Sequence, residues 1–114
     1  IVIIEDSIVR GTTIRTRVKK LRELGAKEIH LRVSCPPIRY PCYYGIDFSS
    51  KGELIAANHS VKDIARYIGL DSLHYLSVDG LLDSVDNRDG YCLACFQGEH
   101  PVLPGKDYGK MSME

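Results

Sequence analysis

The chain opens with three successive patterns of apolar and polar residues. Residues 1–4 are all apolar and β-branched, which predicts a buried strand. From Thr13 to Leu24 the apolar residues recur three or four positions apart, which predicts a helix that stops near Gly25. Residues 28–34 alternate between polar and apolar side chains, which predicts a second strand. Strand, helix and strand at this spacing are typical of a βαβ unit, so we predict an α/β fold with a parallel sheet flanked by helices.

The later part of the chain carries shorter patterns. Ser60 is predicted to cap a helix that continues to Gly69 and has an apolar face. Residues 73–77 are predicted to form a short strand and residues 79–85 a further helix. Between the two halves, the three prolines of residues 35–42 exclude a helix and predict a stiff extended loop.

Size and charge limit the function classes. The 114 residues suffice for one small domain, and 15 basic residues balance 15 acidic ones. Such a balance favours neither nucleic acid nor an anionic membrane as a partner, and no apolar run is long enough to span a bilayer. Because Ile1 already lies within a predicted strand, we expect the chain to be part of a longer protein.

The turn after the first predicted strand carries the clearest candidate chemistry. Glu5 and Asp6 end the strand, where ligands of open α/β sheets bind, and they can accept hydrogen bonds from hydroxyls or hold a cation. The following turn leads into a helix N-terminus, which favours a phosphate, and its threonines are expected to cap that helix. A sugar phosphate would match both the acid pair, through its hydroxyls, and the helix N-terminus, through its phosphate. The alternative is an ordinary strand–turn–helix connection with no ligand. The candidate phosphate contacts are Val9, Arg10, Gly11, Thr12 and Thr13.

Four cysteines form a second candidate group. Cys92 and Cys95 make a CxxC step, which alone is compatible with half a zinc site, a redox pair or two buried residues. Cys42 lies in the proline-stiffened loop, a rigid position from which to present a ligand. Cys35 follows the second strand and is predicted to be a small buried residue.

Residues 1–13 resemble the phosphoribosyl pyrophosphate (PRPP) loop of type I phosphoribosyltransferases. Residues 36–47, 53–60 and 91–98 are similar, in order and spacing, to segments of the iron–sulfur type of glutamine PRPP amidotransferases. The resemblance implies the C-terminal part of a type I phosphoribosyltransferase fold. It places the PRPP loop in residues 1–59 and a mostly helical C-terminal extension with the CxxC step in residues 60–114.

The family forms 5-phosphoribosylamine and pyrophosphate from PRPP and glutamine-derived ammonia, the first committed step of purine synthesis. The resemblance implies that Glu5 and Asp6 contact ribose and Mg²⁺, and that Val9 to Thr13 hold the 5-phosphate. The family commonly has two aspartates where this chain has Glu5 and Asp6, so the geometry of the first carboxylate differs. It further implies a [4Fe–4S] cluster, with a fourth ligand outside the chain. The implied cluster ligands are Cys42, Cys92 and Cys95; Cys35 matches no cluster position.

The resemblance also implies partners and a location. Purine nucleotides would act as feedback inhibitors, and the full-length enzyme would be a cytoplasmic homo-oligomer, a tetramer. The present chain alone is expected to be inactive. A base-salvage phosphoribosyltransferase would share residues 1–13 but give no reason for the cysteine segments. A PRPP-binding regulator would use the same loop without catalysis.

Overall fold

The computed structural model describes residues 1–46 and 50–99, which contain one three-stranded sheet and five helices. The strands are β1 (Val2–Glu5), β2 (His30–Val33) and β3 (Ser72–Tyr75). Two 3₁₀ turns cover Lys51–Glu53 and Arg88–Gly90. None of the helices in these residues has the length and apolar content that crossing a membrane requires. The helices are α1 (Thr12–Glu23), α2 (Ile55–Asn58), α3 (Val61–Ile68), α4 (Val78–Asp83) and α5 (Ala94–Gln97).

The sheet is parallel throughout, in the order β1-β2-β3. Ile3 pairs with Leu31, and Leu31 pairs with Leu73, so the apolar positions of the three strands lie side by side on one face. Parallel neighbours need crossover connections, and these contain α1 in the first case and α2 with α3 in the second. The prediction of an α/β fold with a parallel sheet is confirmed.

The core lies between one face of the sheet and the helices α1 and α3, which also contact each other. On the opposite face, Val2 and Ile4 are 62% and 67% exposed, so no described residue covers that side of β1. The sheet is therefore covered by helices on one face within the described residues. The buried core residues are Ile8, Ile14, Val18, Ile29, Leu31, Val33, Ile55, Ala56, Ile64, Ile68 and Leu73.

The helix boundaries follow the predicted signals closely. The Ser60 hydroxyl accepts a hydrogen bond of 3.1 Å from the Asp63 amide, and Gly69 ends α3 with φ +90°. Gly25, with φ +103°, follows Leu24, the C-cap of α1, and so occupies the C′ position as predicted. The short helices α2 and α5 were not predicted, because four residues are too few to show a helical period.

The strand boundaries differ from the prediction in detail. β2 begins at His30, two residues later than expected, because the Ile29 amide bonds to the Asp71 carboxylate at 2.7 Å instead of continuing the ladder. β3 ends at Tyr75 rather than at residue 77, since Ser77 caps α4 by accepting a 2.9 Å hydrogen bond from the Gly80 amide.

The sheet extends across the predicted boundary at residue 59. β3, in the second segment, pairs with β2 in the first, so both segments contribute to one sheet. Residues 100–114 of the predicted extension lie outside the described residues. The division into residues 1–59 and 60–114 remains a prediction.

Candidate functional site

A cavity of about 350 Å³ lies where β1 turns into α1, beyond the carboxyl end of the strand. Six of the seven residues predicted for the site line it; Asp6 is not among the lining residues, although its neighbours on both sides are. Sequence reasoning missed Ser7, Ile8, Ile14 and Arg17. The lining residues are Glu5, Ser7, Ile8, Val9, Arg10, Gly11, Thr12, Thr13, Ile14 and Arg17.

Gly11 shapes the turn of this cavity. Its φ is +81°, and a Cβ at this buried position would lie 3.1 Å from Cδ1 of Ile55. The Ile55 amide in turn donates a 2.9 Å hydrogen bond to the Val9 carbonyl, so the first residue of α2 is bonded to the loop before Gly11. Only a residue without a side chain combines this backbone conformation with such a close approach.

The start of α1 differs from the prediction in its cap. Gly11 is the N-cap and makes no side-chain hydrogen bond, so the expectation that Thr12 and Thr13 cap the helix was wrong. The first turn of a helix has backbone N–H groups without intrahelical partners. Because no side chain caps them here, they suit an anion in the cavity.

Glu5 faces the cavity because strand alternation places it on the same side as Ile3, toward α1. Its Oε1 accepts a hydrogen bond of 2.6 Å from Nη1 of Arg17, which lies in the second turn of α1. Long helical side chains point back toward the N-terminus, which is the signal that could have identified Arg17 from the sequence.

Asp6 occupies a different environment from Glu5. It is exposed, and its Oδ1 accepts a 3.1 Å hydrogen bond from the hydroxyl of Ser7. The two adjacent carboxylates therefore have different partners: an arginine for Glu5 and a hydroxyl for Asp6. Carboxylate oxygens are the ligands that Mg²⁺ prefers, so the donor chemistry of this strand end fits that ion.

Arg10 lies on the outer side of the loop. Its Nη2 is 3.2 Å from Oε2 of Glu53, and both side chains are more than half exposed. It also lines a second cavity of about 300 Å³ together with the polar residues Asn58 and His59. Arg10 thus connects the predicted phosphate loop to the 3₁₀ turn before α2.

The cysteine segments are joined through the backbone. The amides of Arg39 and Tyr40 both donate to the Cys95 carbonyl, at 2.9 and 3.1 Å, which ties the proline-rich loop to α5. Burial raises the pKa of the Cys95 thiol, and the nearby thiols of Cys42 and Cys92 add to that increase. The three predicted cluster ligands therefore lie in one region of the protein.

Cys35 is near this region but is engaged differently. Burial raises the pKa of its thiol to about 11, with smaller contributions from Cys95 and Asp6. The thiol donates to the Pro36 carbonyl at 3.2 Å and packs against the hydrophobic core. The prediction of a buried residue holds in part, since Cys35 is half-buried.

All four cysteines are free thiols. Across residues 1–46 and 50–99, no three histidine, cysteine or acidic side chains are arranged around a single-ion site. In a [4Fe–4S] cluster each thiolate binds a different iron, so its sulfurs lie farther apart than those around one ion. Three unpaired thiols in one region have the donor chemistry that such a cluster requires.

Comparisons with known proteins agree with the resemblance. No protein-family model matches the chain. The amidophosphoribosyltransferase of Archaeoglobus fulgidus is 51% identical over 111 residues, which cover 94% of this chain and 24% of the relative. The enzyme of the same name from Bacillus subtilis is 53% identical over 107 residues, covering 90% of this chain and 22% of the relative. The chain is homologous to a segment of the amidophosphoribosyltransferases.

Solved structures of such enzymes contain the same fold. A B. subtilis glutamine PRPP amidotransferase complexed with ADP and GMP superposes with a TM-score of 0.88 at 48% identity. That match covers 99% of this chain and 26% of the other. A structure described as the allosteric regulatory enzyme of purine biosynthesis gives a TM-score of 0.84 at 51% identity, covering 93% and 24%. The chain spans about a quarter of the length of these amidophosphoribosyltransferases.

Proposed function

We propose that this chain is the PRPP-binding part of an amidophosphoribosyltransferase. The whole enzyme would convert PRPP and glutamine-derived ammonia to 5-phosphoribosylamine and pyrophosphate. The observation that carries the proposal is the cavity that joins a strand-end carboxylate, Glu5, to the start of α1, where no side chain caps the helix. A ligand with hydroxyls at one end and a phosphate at the other matches both ends, and the homologous enzymes act on such a compound.

Each part of the cavity would have one task. The backbone from Val9 to Thr13 would hold the 5-phosphate, with the hydroxyls of Thr12 and Thr13 adding donors. Glu5 and Asp6 would accept hydrogen bonds from the ribose hydroxyls and hold Mg²⁺, which neutralises the leaving pyrophosphate when bound. Their negative charge would also favour the positive ribosyl group that develops as the pyrophosphate leaves.

The cysteine region would hold an iron–sulfur cluster. Cys42, Cys92 and Cys95 would supply three thiolates to a [4Fe–4S] cluster, with the fourth ligand outside this chain. The proposal is supported by the two backbone hydrogen bonds to the Cys95 carbonyl, which hold the proline-rich loop that carries Cys42 against α5. A cluster bound there would add a covalent link between the same two segments.

The remaining features of the enzyme would lie in the rest of its length. Glutamine hydrolysis would be the task of a further domain, since this segment spans about a quarter of its relatives. Purine nucleotides would inhibit the enzyme, in keeping with the ADP and GMP present in the B. subtilis structure. We also propose a cytoplasmic location and a tetrameric assembly for the full-length protein.

Pyrophosphate release tests the proposed activity. The full-length protein, purified without oxygen, would be mixed with PRPP and Mg²⁺, and glutamine or ammonia would be compared with purine and pyrimidine bases as acceptors. Release with glutamine or ammonia alone supports the proposal. Release only with a base would assign the protein to salvage, and PRPP binding without turnover would make it a regulator.

A further inference from the structure

Arg17 and Glu5 form an ion pair inside the cavity at the end of β1. Both residues line the cavity, and Nη1 of Arg17 is 2.6 Å from Oε1 of Glu5. The Glu5 side chain is 21% exposed and that of Arg17 is 61% exposed, so the carboxylate is the more enclosed partner. A cation therefore stands beside one of the two carboxylates that the proposed function assigns to ribose and Mg²⁺.

The neighbouring arginines have other partners. Arg15, two residues earlier on α1, stacks over the ring of Tyr67 at 4.5 Å from its centroid. Arg10 lines the same cavity but forms its ion pair with Glu53. Among the residues that line the cavity, Arg17 is thus the arginine that contacts the strand-end acid.

We propose that Arg17 is a positioning residue for the PRPP site. It holds the Glu5 carboxylate against α1 and leaves the exposed Asp6 as the carboxylate more open to the ligand and its cation. The charge of Arg17 also offsets one of two adjacent negative charges, which lowers their repulsion of a phosphorylated ligand. The inference rests on the proposed function and adds to it a residue outside the turn from Val9 to Thr13.

The length of the Glu5 side chain is part of the same arrangement. Oε1 of Glu5 lies 2.6 Å from Nη1 of Arg17, across the space between β1 and α1. A shorter acid would hold its carboxylate farther from the guanidinium. Aspartate at this position would be one methylene shorter, and we expect it to lose the contact. Glu5 and Arg17 therefore act as a pair, and a substitution that breaks their contact from either side should have nearly the same effect as the two substitutions together.

A double-mutant cycle in the full-length, anaerobically purified enzyme tests the pair. The variants are Arg17→Met, Glu5→Asp and the combination of both, with Arg17→Lys as the conservative variant. Arg15→Met is the matched control, since it removes an arginine from the same helix but from a contact outside the cavity. The readouts are the Kd for PRPP, the Mg²⁺ concentration for half-maximal turnover, and the Tm.

We expect Arg17→Met to raise the Kd for PRPP and the Mg²⁺ requirement roughly tenfold, the range found when a partner of a metal-binding carboxylate is lost. Arg17→Lys should restore most of the loss, the double variant should be no worse than Arg17→Met, and Arg15→Met should leave both readouts unchanged. A merely structural role would lower the Tm without a change in Mg²⁺ requirement.

Two results would overturn the inference, and they are distinguishable. If the unsubstituted enzyme binds PRPP and Arg17→Met binds it equally well, or if the two substitutions have additive effects, Arg17 does not position Glu5. If the unsubstituted enzyme itself fails to bind PRPP, the proposed function fails and the inference fails with it.

Discussion

At the scale of single residues, the backbone conformation of Gly11 shapes the turn that lines the cavity. Replacing it with alanine would force φ +81° on a residue with a Cβ and place that Cβ 3.1 Å from Ile55. We expect a loss of about 1–3 kcal/mol in the free energy of unfolding. Because the loop must shift to relieve the contact, KM for PRPP should also rise, roughly 10–100-fold.

Gly25→Ala provides the control for this prediction. Gly25 also has a positive φ, +103°, but nothing lies within 4 Å of the position a Cβ would occupy. Alanine there should lower stability by about 1 kcal/mol and leave KM unchanged. Urea denaturation measures the stability of both variants, and steady-state kinetics measures their KM for PRPP. Equal KM for the two variants would mean that the turn at Gly11 does not contact PRPP.

Asp6 carries a second prediction at this scale. Since Glu5 is paired with Arg17, Asp6 is the more exposed of the two acids, and Asp6→Asn removes its charge with little change in shape. We expect kcat/KM for PRPP to fall roughly 10–100-fold, as for the loss of a metal-binding group, while glutamine hydrolysis persists. Asp86→Asn, at an exposed aspartate outside the cavity, is the control. Unchanged PRPP kinetics in Asp6→Asn would remove Asp6 from the site.

At the scale of elements, Asp71 links α1 to the starts of β2 and β3. Its Oδ2 accepts hydrogen bonds from the Ile29 amide at 2.7 Å and from Arg22 at 2.8 Å. Arg22 also donates to the carbonyls of Lys27 and Gly69, at 2.7 and 2.9 Å. One carboxylate and one guanidinium thus connect the end of α1, the start of β2 and the turn after α3.

Asp71→Asn should therefore lower the urea midpoint at neutral pH more than Asp63→Asn does, because Asp63 pairs with Arg66 only across 3.7 Å on an exposed helix face. The Ile29 amide and then Arg22 hold the pKa of Asp71 below its ordinary value of 3.8. The charge contribution is present above that value and is lost as pH falls through the lower folded-state pKa. A difference between wild type and Asp71→Asn that persists at the lowest pH would contradict this account.

The elements also show what the sequence could and could not specify. The periods of α1 and α3, the Ser60 cap and the acid pair at a strand end are local signals, and the structure has those elements at those places. The Arg17–Glu5 pair was missed because it depends on how α1 lies against β1. The Thr12 and Thr13 caps were wrongly predicted because Gly11, rather than a polar side chain, begins the helix.

At the scale of the whole molecule, Cys35 lies near both the proposed phosphate loop and the cysteine region. Cys35 packs against the core beneath the sheet, and its thiol lies close enough to Asp6 and Cys95 for both to affect its pKa. The loop that follows Cys35 carries Cys42 and is tied to α5 through Cys95. Because none of the four cysteines lines the cavity at the end of β1, we expect a change in the cysteine region to lower stability while leaving that cavity intact, which separates the two proposed roles.

Cys95→Ser and Cys35→Ser test that separation. As a proposed cluster ligand, Cys95 should be needed for iron, so Cys95→Ser should lose most of the roughly four irons per chain and unfold more easily. Cys35→Ser changes a half-buried thiol of the same region that is not a proposed ligand, so it should keep its iron and lose only some stability. Iron and sulfide analysis, with thermal unfolding, on anaerobic full-length protein measures both. Unchanged iron content in Cys95→Ser would exclude Cys95 as a ligand, and loss of iron in Cys35→Ser would contradict the assignment of Cys35 as a non-ligand.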